Sequence, residues 1–92
     1  MILIADSGST KTDWRILHTN GEIEQAKSIG FNPFHIGKEA MIKELNDNLS
    51  SQIKSIPTEI HFYGAGCSTT TNQTMIKDAL LAQWPGAIVK VE

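Results

Sequence analysis

The chain begins with a short apolar run, and this run limits the folds available to it more than any other feature. Residues 1–5 read Met-Ile-Leu-Ile-Ala, with no polar residue between them. A fully apolar run of this length is typical of a strand covered on both faces, so we expect a central strand of a sheet. Asp6 closes the run, and Thr12–His18 then alternates as a second strand does.

A tight polar loop joins these two strands and contains one glycine, several hydroxyls and one lysine. Backbone amides beside a glycine can approach an anion closely, because no side chain stands in the way. Hydroxyls donate to phosphate oxygens, and a carboxylate can hold a hydrated divalent cation. The loop therefore predicts a site for the phosphates of ATP and for magnesium, with Asp6 at the metal. The predicted phosphate-binding residues are Ser7, Gly8, Ser9, Thr10, Lys11 and Thr12.

This loop is not a Walker A loop. That motif needs a second glycine directly before its lysine and a helix after it. Only Gly8, Lys11 and Thr12 resemble it, at a different spacing, and a strand follows instead of a helix. An ordinary polar hairpin turn also stays open as an interpretation, because Ser-Gly and Asp-x-Gly are common turn signals.

Length, charge and cysteine content limit the class of protein. A chain of 92 residues has room for one small domain, and its net charge of −2 gives no basic face for nucleic acid. The single cysteine, Cys67, excludes an internal disulfide and indicates a reducing compartment. No apolar run approaches the roughly 18 residues of a membrane span, and the first run is too short for a signal peptide. We therefore expect a cytoplasmic protein with no membrane or nucleic-acid partner.

Turn signals and periodicity divide the rest of the chain. Asn20-Gly21 predicts a hairpin that pairs a third strand, Glu22–Ile29, antiparallel with the second. Helical spacing then extends over Gly37–Ile56, where the predicted apolar stripe consists of Ile42, Leu45, Leu49, Ile53 and Ile56. The remaining predicted elements are a fourth strand at 59–64, a second helix from about Thr69 to Trp84 and a fifth strand at 87–91.

The resulting order, βββαβαβ, predicts an α/β fold with a ribonuclease-H-like five-stranded mixed sheet. Its expected strand order is 3-2-1-4-5 with the second strand reversed, and helices flank the sheet. In such a sheet the turns after strands one and four lie side by side, at the edge where open α/β sheets bind ligands. We therefore expect Asp6–Thr12 to lie near Gly64–Ser68.

The motif formed by Asp6, Gly8 and Thr10 resembles the first phosphate motif of the actin, sugar-kinase and Hsp70-like ATPase superfamily. The whole loop is most similar to that of the N-acetylglucosamine-kinase-like branch, which is grouped with the BadF/BadG/BcrA/BcrD-type ATPases. The resemblance extends over the whole chain and its order of elements. It implies ATP and Mg²⁺ as cofactors and transfer of the ATP γ-phosphate to a hydroxyl of an amino sugar.

Two further segments carry this resemblance. In Gly30–Gly37, Asn32 looks like the counterpart of an asparagine with which these kinases contact the sugar. Gly64–Cys67 stands where they carry a serine/glycine turn that reaches the sugar, which implies substrate contacts at Gly66 and Cys67. Ala65 and Cys67 replace the family's serine and glycine, so the identity of the sugar stays open.

The resemblance also implies that residues 1–92 are the N-terminal lobe of a two-domain protein. The family's catalytic aspartate follows the fifth strand, and a second phosphate motif and an adenosine motif lie in a C-terminal lobe. None of these three features lies within this chain, which ends at Glu92. The chain alone is therefore expected to be inactive, with a sugar substrate and its own C-terminal lobe as partners, and a homodimer stays open.

Three other functions compete with a kinase. A two-metal nuclease on this fold would need Asp6 and an inward-facing Glu44, but the fourth strand ends without an acid. A BadF-type activator ATPase would carry its cluster cysteines beyond Glu92. A non-catalytic sugar sensor would bind its ligand without turnover. Among single residues, Trp14 and Trp84 are predicted to lie in the core, and Cys67, considered by itself, is predicted to be a small packing residue in a tight turn.

Overall fold

The computed structural model describes residues 1–92 as one five-stranded sheet with helices on one face. The elements are β1 (Ile2–Ser7), β2 (Lys11–Leu17), β3 (Ile23–Ile29), α1 (Lys38–Glu44), a π-helical segment (Leu45–Leu49), α2 (Ser50–Gln52), β4 (Glu59–Gly64), α3 (Thr70–Gln83) and β5 (Ile88–Val91). The strand order is β3-β2-β1-β4-β5, and β2 is antiparallel to both of its neighbours. The predicted ribonuclease-H-like topology is confirmed.

Local signals set most of the boundaries. At the predicted Asn-Gly hairpin, the amide of His18 donates to the carbonyl of Glu22 at 2.9 Å. The helix α3 begins at a capping threonine, because the hydroxyl of Thr69 accepts from the amide of Asn72. No helix of the fold has the length and apolar character needed to cross a bilayer.

Three aromatic rings form the centre of the core beneath the sheet. Trp14, Phe31 and Phe62 are fully buried, and their ring centroids lie 5.8 to 6.3 Å apart. Each such pair adds about 0.5–1.5 kcal/mol beyond the burial of apolar area. The indole of Trp14 donates to the hydroxyl of Ser28 at 2.9 Å, so its polar atom is satisfied. The core positions predicted for Trp14 and Trp84 are confirmed.

The helical region differs from the single helix predicted over Gly37–Ile56. Its buried residues are spaced four apart, and they are Met41, Leu45, Leu49 and Ile53. On an α-helix of 3.6 residues per turn, residues spaced four apart shift gradually around the helix. The wider π turn corrects this shift and keeps the four side chains facing the core. The helix ends at Gln52, and Ile53 has extended backbone angles (φ −110°, ψ 98°) four residues before Pro57. Ile56 is therefore 77% exposed, and its predicted place in the stripe was wrong.

β1 is the central strand of the sheet, as predicted, but within residues 1–92 only one of its two faces is covered. Leu3 and Ala5 are fully buried against the helices, whereas Ile2 and Ile4 lie on the opposite face, where no element covers them. The two crossovers, β3 to β4 and β4 to β5, advance in the same direction across the sheet. Right-handed connections that advance in one direction place their helices on the same face.

The free edge of β3 is closed by side chains instead of a strand. Gln52 accepts from the amide of Lys27 at 3.1 Å, and Asn48 and Gln52 both donate to the carbonyl of Lys27. The carboxylate of Glu44 accepts from the amide of Ile29 at 3.0 Å. These three side chains, four residues apart, satisfy backbone groups that would otherwise invite pairing with another chain.

Candidate functional site

Three loops meet where the central strands end. They are the β1–β2 loop, the β3–α1 loop and the β4–α3 loop. Ser7 lies beside Gly64 in the parallel β1–β4 pair, and the amide of Ala65 donates to the carbonyl of Ser7 at 2.9 Å. The predicted proximity of Asp6–Thr12 to Gly64–Ser68 is confirmed, and it places a polar hairpin at the edge where open α/β sheets bind ligands.

The tip of the β1–β2 loop presents polar groups to solvent. Ser9, Thr10 and Lys11 are exposed there, and the amide of Gly8 donates to the carbonyl of Lys11 at 2.8 Å. The ammonium of Lys11 lies 3.9 Å from the carboxylate of Asp13 and is largely free in solvent. Two hydroxyls and one ammonium on one short turn can bind an anion.

Behind this tip, the hydroxyls of Ser7 and Thr12 are buried and bond each other at 2.7 Å. Thr12 donates its proton to the carbonyl of Ile29, so the hydroxyl of Ser7 donates to Thr12 and accepts from the amide of Phe31. These two predicted phosphate residues therefore use their side chains inside the protein. Through these hydrogen bonds, the two side chains hold the hairpin against the β3–α1 loop.

Asn32 connects the predicted phosphate loop with the predicted sugar loop. The residue is only 6% exposed, its side-chain amide donates to the hydroxyl oxygen of Ser9 at 3.1 Å, and its side-chain carbonyl accepts from the amide of Phe34 at 3.0 Å. Because Ser9 accepts this bond, its own proton stays available to a ligand. Asn32 keeps one amide proton and one lone pair for a further partner.

Gly30 holds the β1–β2 loop in place, and sequence reasoning missed it. A Cβ atom at this position would lie 2.3 Å from the carbonyl oxygen of Gly8 and 2.6 Å from the backbone of Ser9. Only glycine permits the two loops to pack backbone against backbone. No sequence signal indicates a contact between residues 22 positions apart.

The β4–α3 loop presents Gly66 to Asn32. Gly66 has φ of +78°, and a Cβ there would lie 2.4 Å from the side-chain carbonyl oxygen of Asn32. Its own carbonyl accepts from the side chain of Asn72 at 2.8 Å. Phe34, whose ring is 71% exposed, lies against the same glycine and was not singled out from the sequence. The turn thus packs Gly66 directly against Asn32 and the exposed ring of Phe34.

Cys67 belongs to the core beneath this turn. It is buried among apolar residues, and burial raises the pKa of its thiol. Its carbonyl accepts from the side chain of Gln73 at 2.9 Å. The packing role predicted for Cys67 is confirmed, and its thiol donates to the carbonyl of Ala65 in the same turn, 3.8 Å away.

Asp6 lies on the face of the sheet that carries no helix. Asp13 is directly opposite it on β2 and Tyr63 is beside it on β4. Directly opposed residues in an antiparallel pair have Cβ atoms about 4.5–5.5 Å apart, so the two carboxylates are neighbours. No group of three or more metal-ligating side chains forms in the chain. Asp13 was not predicted as a site residue, although it lies as many residues after the centre of the turn as Asp6 lies before it.

The nuclease interpretation does not agree with this arrangement. Glu44 accepts hydrogen bonds from the amide of Ile29 and the side chain of Asn48, at the edge of β3. It does not converge with Asp6. On the face that Asp6 occupies, His61 instead bonds Glu59 at 2.6 Å, and this hydrogen bond lowers the pKa of Glu59.

The sheet order and the polar hairpin at its carboxyl edge define a kinase-like α/β fold. Comparison with solved structures finds 14 matching chains. One of them is the crystal structure of the putative N-acetylglucosamine kinase from Porphyromonas gingivalis, with 33% sequence identity and a TM-score of 0.86. The match covers 99% of this chain and 33% of that one, so the chain spans about a third of its neighbour's length. The predicted N-acetylglucosamine-kinase-like fold is confirmed.

Two other comparisons gave no match. No protein-family model matches the sequence, and neither does any curated protein.

Proposed function

We propose that residues 1–92 form the N-terminal lobe of an ATP-dependent amino-sugar kinase, which transfers the γ-phosphate of ATP to a sugar hydroxyl. The observation that carries this proposal is the bond between Asn32 and Ser9, because it sets a sugar-loop amide against a phosphate-loop hydroxyl. The 33% identity to a protein described as an N-acetylglucosamine kinase supports the same conclusion. N-acetylglucosamine is therefore the first acceptor to test.

The exposed groups of the β1–β2 loop fit a nucleotide triphosphate. Ser9 and Thr10 offer hydroxyl protons, Lys11 offers a positive charge, and Gly8 adds no side chain above them. Asp6 would hold a hydrated Mg²⁺ with Asp13 beside it. When bound, ATP supplies the phosphoryl group and Mg²⁺ neutralises its charge. Ser7 and Thr12 keep the loop in shape.

The sugar lies, in this proposal, beside the β3–α1 and β4–α3 loops. The unused proton and lone pair of Asn32 can bond a sugar hydroxyl, and Gly66 packs directly against the Asn32 side chain. The exposed ring of Phe34 can pack against an apolar face of a sugar. Cys67 shapes the turn from below instead of contacting the sugar through its thiol.

The rest of the nucleotide site is proposed to come from a C-terminal lobe. The neighbouring kinase is about three times as long as this chain, which leaves room for such a lobe. A carboxylate supplied after Glu92 would accept the proton of the attacking hydroxyl. The complete protein is proposed to act in the cytoplasm, and a homodimer is compatible with it.

ADP release by the complete gene product with Mg²⁺ and ATP tests this function. Amino sugars and plain hexoses are added one at a time. Release that depends on N-acetylglucosamine, and not on glucose, is expected. Release without any sugar would favour a BadF-type activator ATPase instead. ATP binding without ADP release would favour a sugar sensor. The absence of ATP binding would show that the β1–β2 loop is an ordinary polar hairpin without a phosphate site.

A further inference from the structure

The two edges of the sheet differ in how their backbone groups are satisfied. Side chains of the helical region close the edge at β3, whereas β5 at the other edge pairs only with β4. The amides of Ile88 and Glu92 donate to carbonyls of the β4 side. Because hydrogen-bonding groups alternate in direction along a strand, Val89 and Val91 point their amides and carbonyls away from β4. These four backbone groups form an open edge.

A groove of about 230 Å³ lies between this open edge and α3. Its helical side is one stripe of α3, with residues spaced three and four apart. The lining residues are Thr70, Gln73, Thr74, Lys77, Val89 and Val91. The amide of Gln73 bonds the carbonyl of Cys67, so it does not close the edge of β5. Where an extended peptide adds to a sheet edge, main-chain bonds give affinity and pockets for alternate side chains give specificity.

The charges at this edge are positive. Lys77 is the one charged residue that lines the groove, and Lys90 is exposed on the face of the sheet that has no helices. Neither lysine belongs to any of the ion pairs of the chain. The carboxylate of Glu59, on the neighbouring strand, bonds His61 instead. An unpaired lysine therefore lies on each side of the open backbone groups.

We propose that β5 binds an extended acidic segment of a partner protein, which adds to the sheet as an antiparallel sixth strand. In an antiparallel pair, two residues of the segment would exchange backbone bonds with Val89 and Val91. The residue between them would lie opposite Lys90, and its neighbour opposite Val89 would point into the groove toward Lys77. Acidic side chains at these two places complement both lysines. The proposal does not depend on kinase activity.

A second copy of the chain fits this edge less well. In a two-fold antiparallel pair that uses all four backbone groups, Val89 of one copy lies opposite Val91 of the other. This register sets Lys90 directly opposite the Lys90 of the other copy, with Cα atoms about 4.5 Å apart. Like charges directly opposite each other destabilise a strand pair, and lysine on an edge strand is a common protection against self-pairing. The charge therefore favours an acidic partner over a second copy.

Fluorescence anisotropy with the complete gene product tests the charge contacts. The labelled acidic probe is the peptide Ser-Thr-Val-Glu-Glu-Thr-Ser, and the control probe has lysine in place of both glutamates. We expect saturable binding of the acidic probe at low salt, with the control probe at least about tenfold weaker. Lys90→Glu should weaken the acidic probe and strengthen the control probe. Lys54→Glu, which changes an exposed lysine of another segment, should leave both affinities unchanged.

Amide hydrogen exchange followed by NMR tests strand addition itself. In the free protein, the amides of Val89 and Val91 should exchange faster than those of Ile88 and Glu92, which are bonded to the β4 side. A saturating concentration of the acidic probe should slow exchange at Val89 and Val91 by at least about tenfold. Ile88 and Glu92 serve as internal controls in the same spectrum and should change little.

Three results would overturn the proposal. The first is no binding of the acidic probe, or equal binding of the two probes. The second is a bound probe that leaves exchange at Val89 and Val91 unchanged, because the probe would then lie elsewhere. The third is slow exchange at these two amides before any probe is added. In that case a second copy, visible as a dimer in gel filtration, or another part of the complete protein already covers the edge.

Discussion

The side-chain amide of Asn32 donates a hydrogen bond to the hydroxyl oxygen of Ser9, 3.1 Å away, across 23 positions of the sequence. This bond couples the loop proposed for phosphate to the loop proposed for sugar. A change at Asn32 should therefore affect both substrates, whereas a change that touches only one loop should affect one.

Replacing Asn32 should test this coupling. Asn32→Asp retains an acceptor for the amide of Phe34 but cannot donate to Ser9, and it adds a negative charge near the proposed phosphates. We expect kcat/KM to fall by at least about 100-fold, about 2.7 kcal/mol, with higher KM for both ATP and sugar. Steady-state kinetics with each substrate varied measures this.

Asn72→Ala is the control for that experiment, because Asn72 bonds the carbonyl of Gly66 and does not contact the β1–β2 loop. It should raise the KM for sugar and leave the KM for ATP unchanged. An Asn32→Asp variant with a normal KM for ATP would contradict the coupling.

Gly8 and Gly30 should respond to alanine in opposite ways. A Cβ at Gly8 would lie 3.7 Å from the carbonyl of Lys11, an ordinary contact, whereas one at Gly30 would overlap the backbone of Gly8. Gly8→Ala should therefore keep its unfolding free energy within about 0.5 kcal/mol and lose at least tenfold in ATP affinity. Gly30→Ala should lose about 1–3 kcal/mol of stability. Urea unfolding and calorimetric ATP titration measure both, and normal ATP binding by Gly8→Ala would exclude close approach of phosphate there.

Asp6→Asn should cut turnover by at least about 100-fold without destabilising the fold. Asp6 faces Asp13 across the hairpin, and removing one of two opposed like charges relieves repulsion. Asp13→Asn should give a smaller loss of turnover and a higher Mg²⁺ requirement. Magnesium titrations of the ADP-release rate distinguish the two variants. Near-normal turnover in Asp6→Asn would remove Asp6 from the site.

Opening the closed edge of β3 should promote self-association. Gln52→Ala removes bonds to both the amide and the carbonyl of Lys27, and because both bonds are exposed to water we expect a cost of about 0.5–1.5 kcal/mol. The exposed strand should then form dimers or aggregates as concentration rises, which light scattering detects. Asn46→Ala, an exposed change in the same helical region, is the control. A monomeric Gln52→Ala variant at high concentration would show that the edge is protected by other means.

The thiol of Cys67 should report on folding and on pH. Burial raises its pKa and keeps it neutral, so a disulfide reagent at pH 8 should react slowly with the native protein and fast after unfolding. Because the pKa is higher in the folded state, the stability that the neutral thiol supports is present below the unfolded pKa, about 8.5, and is lost as pH rises through the folded pKa. Cys67→Ala should lack this alkaline loss in urea unfolding, and an identical pH profile would exclude the thiol as its cause.

Local patterns in the sequence were enough to predict the sheet. Turn signals such as Asn20-Gly21 and the change from alternating to helical spacing depend on neighbouring residues, so they predicted the topology without the structure. These local patterns could not predict the π-helical segment, because that segment results from the packing of Leu45 and Leu49 in the core and not from a local preference.

The candidate site was predicted only in part. The β1–β2 loop and its position beside the β4–α3 loop were predicted. The burial of the Ser7 side chain was not, although Ser7 lies on the same strand face as Leu3 and Ala5, two residues further along each time. Gly30 could not be found, because its role depends on a backbone contact that only the folded chain forms.

The hydrogen bonds of the Ser7 and Thr12 hydroxyls affect the entropy cost of ligand binding. The hairpin is bonded to the β3–α1 loop before any ligand arrives, so little chain entropy remains to be lost on binding. Its affinity for phosphate is then set by contacts and not by ordering. When a ligand binds, the hairpin would therefore keep its shape, and any rearrangement would have to occur in other parts of the protein.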